Sequence, residues 1–194
     1  VLDDSFSPAL DGPSRDFSES SSSLQFSFMF ALVLIYLVLA AQFESFVHPF
    51  TILLSVPLAV FGALATLFIF KQSLNIYSQI GLIMLIGLVT KNAILIVEFS
   101  NQLRARGEPL FEAVVEAATI RLRPILMTSF STIFGVLPIA MGVGAGGESR
   151  MPLGLVVVGG VLFSTFLTLL LVPVMYTLLA RLTKVTRAAE ENEA

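Results

Sequence analysis

The sequence predicts an all-α membrane protein, a bundle of five transmembrane helices with one interfacial amphipathic helix. Two observations carry this expectation. The chain of 194 residues is 56% hydrophobic and 13% charged, with a mean hydropathy of +0.90, whereas soluble domains hold about 25% charged residues. Five apolar stretches also reach or approach the roughly 20 residues that a helix needs to cross about 30 Å of hydrocarbon.

In chain order, residues 1–23 are acidic and Ser-rich and open at Val1 without an initiator Met. This is the reverse of a basic-then-apolar signal peptide, and it predicts a fragment of a longer protein. The spans follow at 24–41, 50–70, 80–97, 124–145 and 153–180, with a tail at 183–194. Short connections at 42–49, 71–79 and 146–152 predict antiparallel neighbours. The longer connection holds Phe111, Val114, Val115, Ala118 and Leu122 on one helical stripe, with Glu108, Glu112 and Glu116 at intervals of four on another face. Pro109 suits a first turn, so 109–122 reads as a helix. Its stripe fits a helix lying along the membrane interface or a soluble helix capping the bundle. Pro57, Pro138 and Pro173 predict kinks, and Gly160, Ser164 and Thr168, four residues apart, predict close helix approach.

Orientation follows from the basic residues, which resist translocation. Arg104, Arg106, Arg121, Arg123, Arg181, Lys184 and Arg187 fall on one side, against Arg15, Lys71 and Arg150 on the other. The 98–123 connection and the C-terminus are therefore expected in the cytoplasm. With no Trp, only Tyr36, Tyr77 and Tyr176 offer aromatic anchors for depth.

Several functions are disfavoured. There is no Cys, so disulfides and thiolate metal sites are excluded. A net charge of −3 without a basic block argues against nucleic acid. His48 stands alone beside Pro49, and the glycine-rich "GVGAGGESR" lacks the strand-to-helix setting of a phosphate loop. No catalytic triad, carboxylate pair or metal cluster is evident, so neither enzyme chemistry nor a cofactor is expected.

The polar residues inside the spans carry the functional signal. Lys91 is the twelfth residue of the run 80–97, where a charged lysine costs about 2.5–3.5 kcal/mol by insertion scales. Snorkelling is the structural alternative, but the nearer end lies roughly 9–10 Å away at 1.5 Å per residue. Asn92 beside it reads as an interhelical hydrogen-bonder. The nearest acid in depth, Glu98, is seven residues along the same helix, about 10 Å away and too far to pair. If Lys91 is ion-paired, its carboxylate is therefore expected in sequence outside this chain. Arg121 and Arg123 precede Pro124 and read either as interfacial charge anchors or as functional groups; Thr128 shares the helical face of Arg121. A threonine there commonly bonds a carbonyl one turn back, and a relay role is the alternative.

"AAQFESF", "VPLAVFGAL", "YSQIGLIMLIGLVTKNAILIVEF", "RLRPILMTS" and "GGESRMPLG", in this order and spacing, resemble the C-terminal transmembrane region of resistance-nodulation-division multidrug efflux pumps, in their hydrophobe/amphiphile branch. The resemblance implies a proton/drug antiporter of twelve helices in two halves, a homotrimer in the bacterial inner membrane working with a periplasmic adaptor and an outer-membrane channel. Residues 1–23 would end the extracytoplasmic porter domain, with Ser20–Ser23 as the joint to the first span, and 24–182 would form the transmembrane domain. Lys91 would pair with two aspartates in the N-terminal half of the same transporter, and Arg121 and Thr128 would belong to the same relay, with Asn92 in support. Taken alone, the fragment is expected to be inactive. Two other readings stand beside this one: a relative that exports metal ions or lipids, and a structural or assembly subunit in which Lys91 forms a static ion pair. Against a metal path, Met84, Met127, Met141 and Met175 are scattered over three helices.

Overall fold

The computed structural model describes residues 13–193, with side-chain surroundings from residue 23 to residue 180. Among these residues the chain forms helices and no strand: α1 (Pro13–Phe43), α2 (Val47–Leu53), α3 (Ser55–Ile69), α4 (Ile76–Ala105), α5 (Leu110–Ala140) and α6 (Gly147–Glu193). Five stretches are long and apolar enough to cross a membrane, with α2 and α3 together making one of them, Val47–Ile69.

Local chemistry fixes the helix ends. Asn75 opens α4 with a capping box: its Oδ1 accepts from the Ser78 amide at 2.9 Å, while its own amide donates to Ser78 Oγ at 2.8 Å. The C-termini of α3, α4 and α5 close in one way. The amides of Gln72, Glu108 and Val143 donate to Leu67, Leu103 and Pro138, and the preceding amides donate one turn inside. This paired closure needs a left-handed residue. Gly107 and Gly142 supply it at φ 96° and 67°, but in α3 the residue is Lys71 at φ 53°.

The second predicted span is interrupted. Pro57 has no N–H to give the Leu53 carbonyl and its ring crowds that carbonyl, and the chain breaks at Leu54, between α2 and α3. Ser55 Oγ donates to the Ile52 carbonyl at 2.6 Å and so satisfies part of the break. Pro124 and Pro138 leave α5 unbroken, and Pro152 and Pro173 leave α6 unbroken.

Three boundaries differ from expectation. The helix expected at 109–122 and the span expected at 124–145 are one continuous helix, α5, which ends at Ala140. Loss of the single Pro124 donor is not enough to end a helix held on both sides by regular bonds. Its buried residues are Ala113 and Ala117, packed with Leu103 and Phe99, and Val114, which joins a separate cluster, whereas Phe111, Val115 and Leu122 are exposed. At the other end, α6 begins at Gly147 rather than 153, and its backbone continues through the expected tail to Glu193. Upstream, α1 already runs from Pro13, so Ser20–Ser23 lie inside a helix; the rest of the expected lead, residues 1–12, is outside the described residues.

The core gathers around α6. Gly159 meets Thr66 of α3, Gly160 meets Leu85 of α4, and Gly154 rests on the Ala140 backbone of α5. Gly160, Ser164 and Thr168, the small-residue row seen in the sequence, are all buried. One apolar cluster joins Ala63, Leu67, Leu85, Val89, Val156 and Val161; a second, nearer the Arg104 end, joins Ile52, Ala93, Ile96, Val114, Val172 and Tyr176. Of the α1 side chains described, those from residue 23 to residue 43, more than half are exposed.

Candidate functional site

Lys91 and Asn92 lie in the second half of α4, and Thr128, Ser129 and Thr132 lie in the middle of α5. Where these helices approach beside α6, Leu88, Lys91, Asn92, Thr128, Ser129, Thr132 and Val161 come together around a narrow cleft that is too tight to hold a water molecule. Helical geometry sends the adjacent Lys91 and Asn92 different ways. Asn92 is buried at 3% exposure with its Oδ1 lacking a hydrogen-bond partner, while Lys91 is exposed on the bundle surface. A buried amide oxygen without a donor costs about 1–3 kcal/mol. Among the described residues no carboxylate pairs with Lys91.

Thr128 is exposed, and its hydroxyl donates to the Ile125 carbonyl at 3.1 Å, one turn back as expected for a helical threonine. Beneath it, the Ser129 and Thr165 hydroxyls are hydrogen-bonded at 2.8 Å between α5 and α6, and both residues are buried. This link fixes the rotation of α5 against α6 and thereby the face on which Thr128 and Thr132 appear.

Arg121 is not part of the cleft. Its guanidinium carbon sits 4.6 Å from the Phe99 ring centroid in a cation–π contact, and its Nε is buried without a hydrogen-bond partner. Two helical turns separate it from Thr128, so the structure joins Lys91, Asn92 and Thr128 and holds Arg121 at the next level. Sequence reasoning missed Ser129, Thr132 and Thr165. The spacing of Ser129 beside Thr128 was a signal, but only the α5–α6 contact identifies which hydroxyl faces the core.

Comparisons with known proteins identify the family of the chain. The model of the AcrB/AcrD/AcrF family matches residues 2–180. A protein of Haemophilus influenzae described as an uncharacterized transporter is 41% identical over 186 residues, 92% of this chain and 18% of that protein. Multidrug resistance protein MdtC of Erwinia tasmaniensis is 41% identical over 172 residues, 88% of this chain and 17% of its own length. MdtC of Erwinia amylovora is 40% identical over 177 residues, 91% of this chain and 17% of its own. The chain thus spans less than a fifth of the length of these curated relatives. A family match over nearly the whole chain, on a bundle with five membrane-length apolar stretches, settles the assignment: the chain belongs to the AcrB/AcrD/AcrF family of resistance-nodulation-division permeases.

Proposed function

We propose that this chain is part of a proton-driven multidrug exporter and carries the cationic and hydroxyl side of its transmembrane proton relay. The observation that supports this most directly is the shared cleft of Lys91, Asn92 and Thr128, with the Lys91 side chain exposed in a membrane-length helix and, among the described residues, without a carboxylate partner. Such a charge is costly in lipid and calls for a partner that covers it. In this reading the partner is a carboxylate pair in the N-terminal half of the same transporter. With the carboxylates ionised, Lys91 is drawn toward them; when they take up a proton, the attraction falls and Lys91 is released toward Thr128. The two arrangements are alternative packings of one bundle, so protonation selects a conformation and becomes coupled to drug movement.

Arg121 acts at one remove, closing the relay toward the side rich in basic residues, which this reading places in the cytoplasm together with the C-terminus. The assembled protein is then a secondary active transporter, not an enzyme, homotrimeric in the bacterial inner membrane and joined to a periplasmic adaptor and an outer-membrane channel. Substrate choice lies outside this chain. The test is Lys91→Met in the full-length gene product. The expected outcome is loss of drug export with membrane abundance close to wild type, and Thr128→Ala should lower export less. A Lys91→Met protein that exports normally, or one whose export falls only in proportion to abundance, would point instead to a static ion pair that docks one helix on another.

A further inference from the structure

A second polar cluster lies at the Arg104 end of the bundle, apart from the relay cleft. Tyr176 of α6 is 2% exposed, and its hydroxyl donates to Asn101 Oδ1 and accepts from Arg104 Nη1 at 3.1 Å. The His48 ring of α2 stacks on Tyr176, with centroids 5.4 Å apart and planes 12° from parallel, and Phe43 meets it edge-on at 5.9 Å. These contacts hold a guanidinium and an imidazole at the wall of a cavity of about 440 Å³, which Glu44 and Thr51 also line. That volume falls within the range of small-ligand sites.

Three features remain without a role inside the chain. Among the described residues, the only side-chain hydrogen bond of Arg104 goes to a neutral phenol, so its charge has no carboxylate partner. His48 Nδ1 is buried and has no hydrogen-bond partner. Glu44 stands in the corner between α1 and α2 with φ at 47°, a left-handed conformation that favours glycine, yet it carries a charged side chain at the cavity. One cation and one anion at the same cavity match a ligand with both signs. A guanidinium presents a planar fork of donors suited to phosphate, and basic pockets between transmembrane helices take phosphorylated headgroups.

We infer that this cavity binds the zwitterionic headgroup of a phospholipid, with its phosphate on Arg104 and His48 and its ammonium at Glu44. The inference is independent of the relay, since none of these residues lines the Lys91 cleft. Native mass spectrometry of the full-length gene product, supplied in turn with phosphatidylethanolamine, phosphatidylglycerol and soluble phosphoethanolamine, tests it. The wild type should retain phosphatidylethanolamine in preference to phosphatidylglycerol, and Arg104→Gln and Glu44→Gln should each lower that retention by roughly tenfold. Arg104→Lys, which keeps the charge, should lose less, and His48→Phe, which keeps the ring stack on Tyr176, should lose retention through the missing nitrogens. Equal retention by wild type and Arg104→Gln overturns the site. Preference for phosphatidylglycerol overturns the role of Glu44, and soluble phosphoethanolamine displacing bound lipid completely would assign the cavity to a soluble phosphate compound instead.

Discussion

Helices α1 and α6 are both apolar over a membrane length, yet 6% of the α1 window is buried in the bundle against 56% for α6. The difference lies in small residues. Gly154, Gly159 and Gly160 let three neighbours approach the α6 backbone, whereas the apolar length of α1 carries large side chains such as Phe26, Phe30, Leu34 and Leu37, all exposed. Apolarity alone therefore marks a helix as suited to lipid. It does not say which helix becomes the axis of the bundle, because association between helices in lipid rests on close packing and not on removal from water.

The sharpest way to break the contrast is to give α6 a side chain where it has none. A β-carbon on Gly154 would stand 2.4 Å from the Ala140 amide nitrogen, a backbone atom that cannot yield by a rotamer change. Gly154→Val should lower thermal stability of the detergent-solubilised full-length protein by at least about 1–3 kcal/mol. Thr165→Val probes the same interface through its polar link; removing the hydrogen bond to Ser129 should cost about 0.6 kcal/mol, and it should weaken export more than stability if the rotation of α5 sets the relay face.

A third, smaller effect lies outside the spans. Partial burial pushes the Glu108 carboxyl above its usual range, and the Glu116 carboxylate raises it further, with Arg106 opposing. Because the folded chain holds this proton more tightly than the unfolded chain, the group favours the fold below the ordinary Glu range, and that advantage is lost as pH rises through the raised value. Glu108→Gln should thus be more stable than wild type at neutral pH, with the difference vanishing in acid; melting curves across pH give the answer. The smallest change is expected on α1. Leu37→Ala, at a side chain 56% exposed, should shift stability by no more than about 0.5 kcal/mol. A larger loss would mean that the outer face of α1 is covered in the assembled protein and that the contrast with α6 belongs to this segment alone.

Much of the fold was legible in the sequence because a membrane span announces itself by length and composition. The row Gly160, Ser164 and Thr168 announced a packed face in the same way, and it is buried. Boundaries were less legible. The alternation of glutamates with apolar residues before Pro124 read as a separate helix, and the backbone hydrogen bonds continue through it. Conversely, Pro57 read as a kink, and the break falls three residues earlier, at Leu54, where its effect on the Leu53 carbonyl is felt. For the site, the cost of a lysine in hydrocarbon was enough to single out Lys91, and the motif around it brought in Asn92, Arg121 and Thr128.

The sequence by itself determined that this chain holds membrane-length apolar stretches, that Lys91 stands inside one of them, and which family it resembles, because each of these depends on residue type and order alone. Only the tertiary structure decided that Lys91, Asn92 and Thr128 share one cleft while Arg121 turns aside to Phe99, and that His48, Arg104 and Tyr176 meet at one cavity. These facts depend on how far one helix is rotated against the next. That rotation is set by contacts distant in sequence, such as Gly154 on Ala140 and Ser129 on Thr165, and no local pattern encodes it.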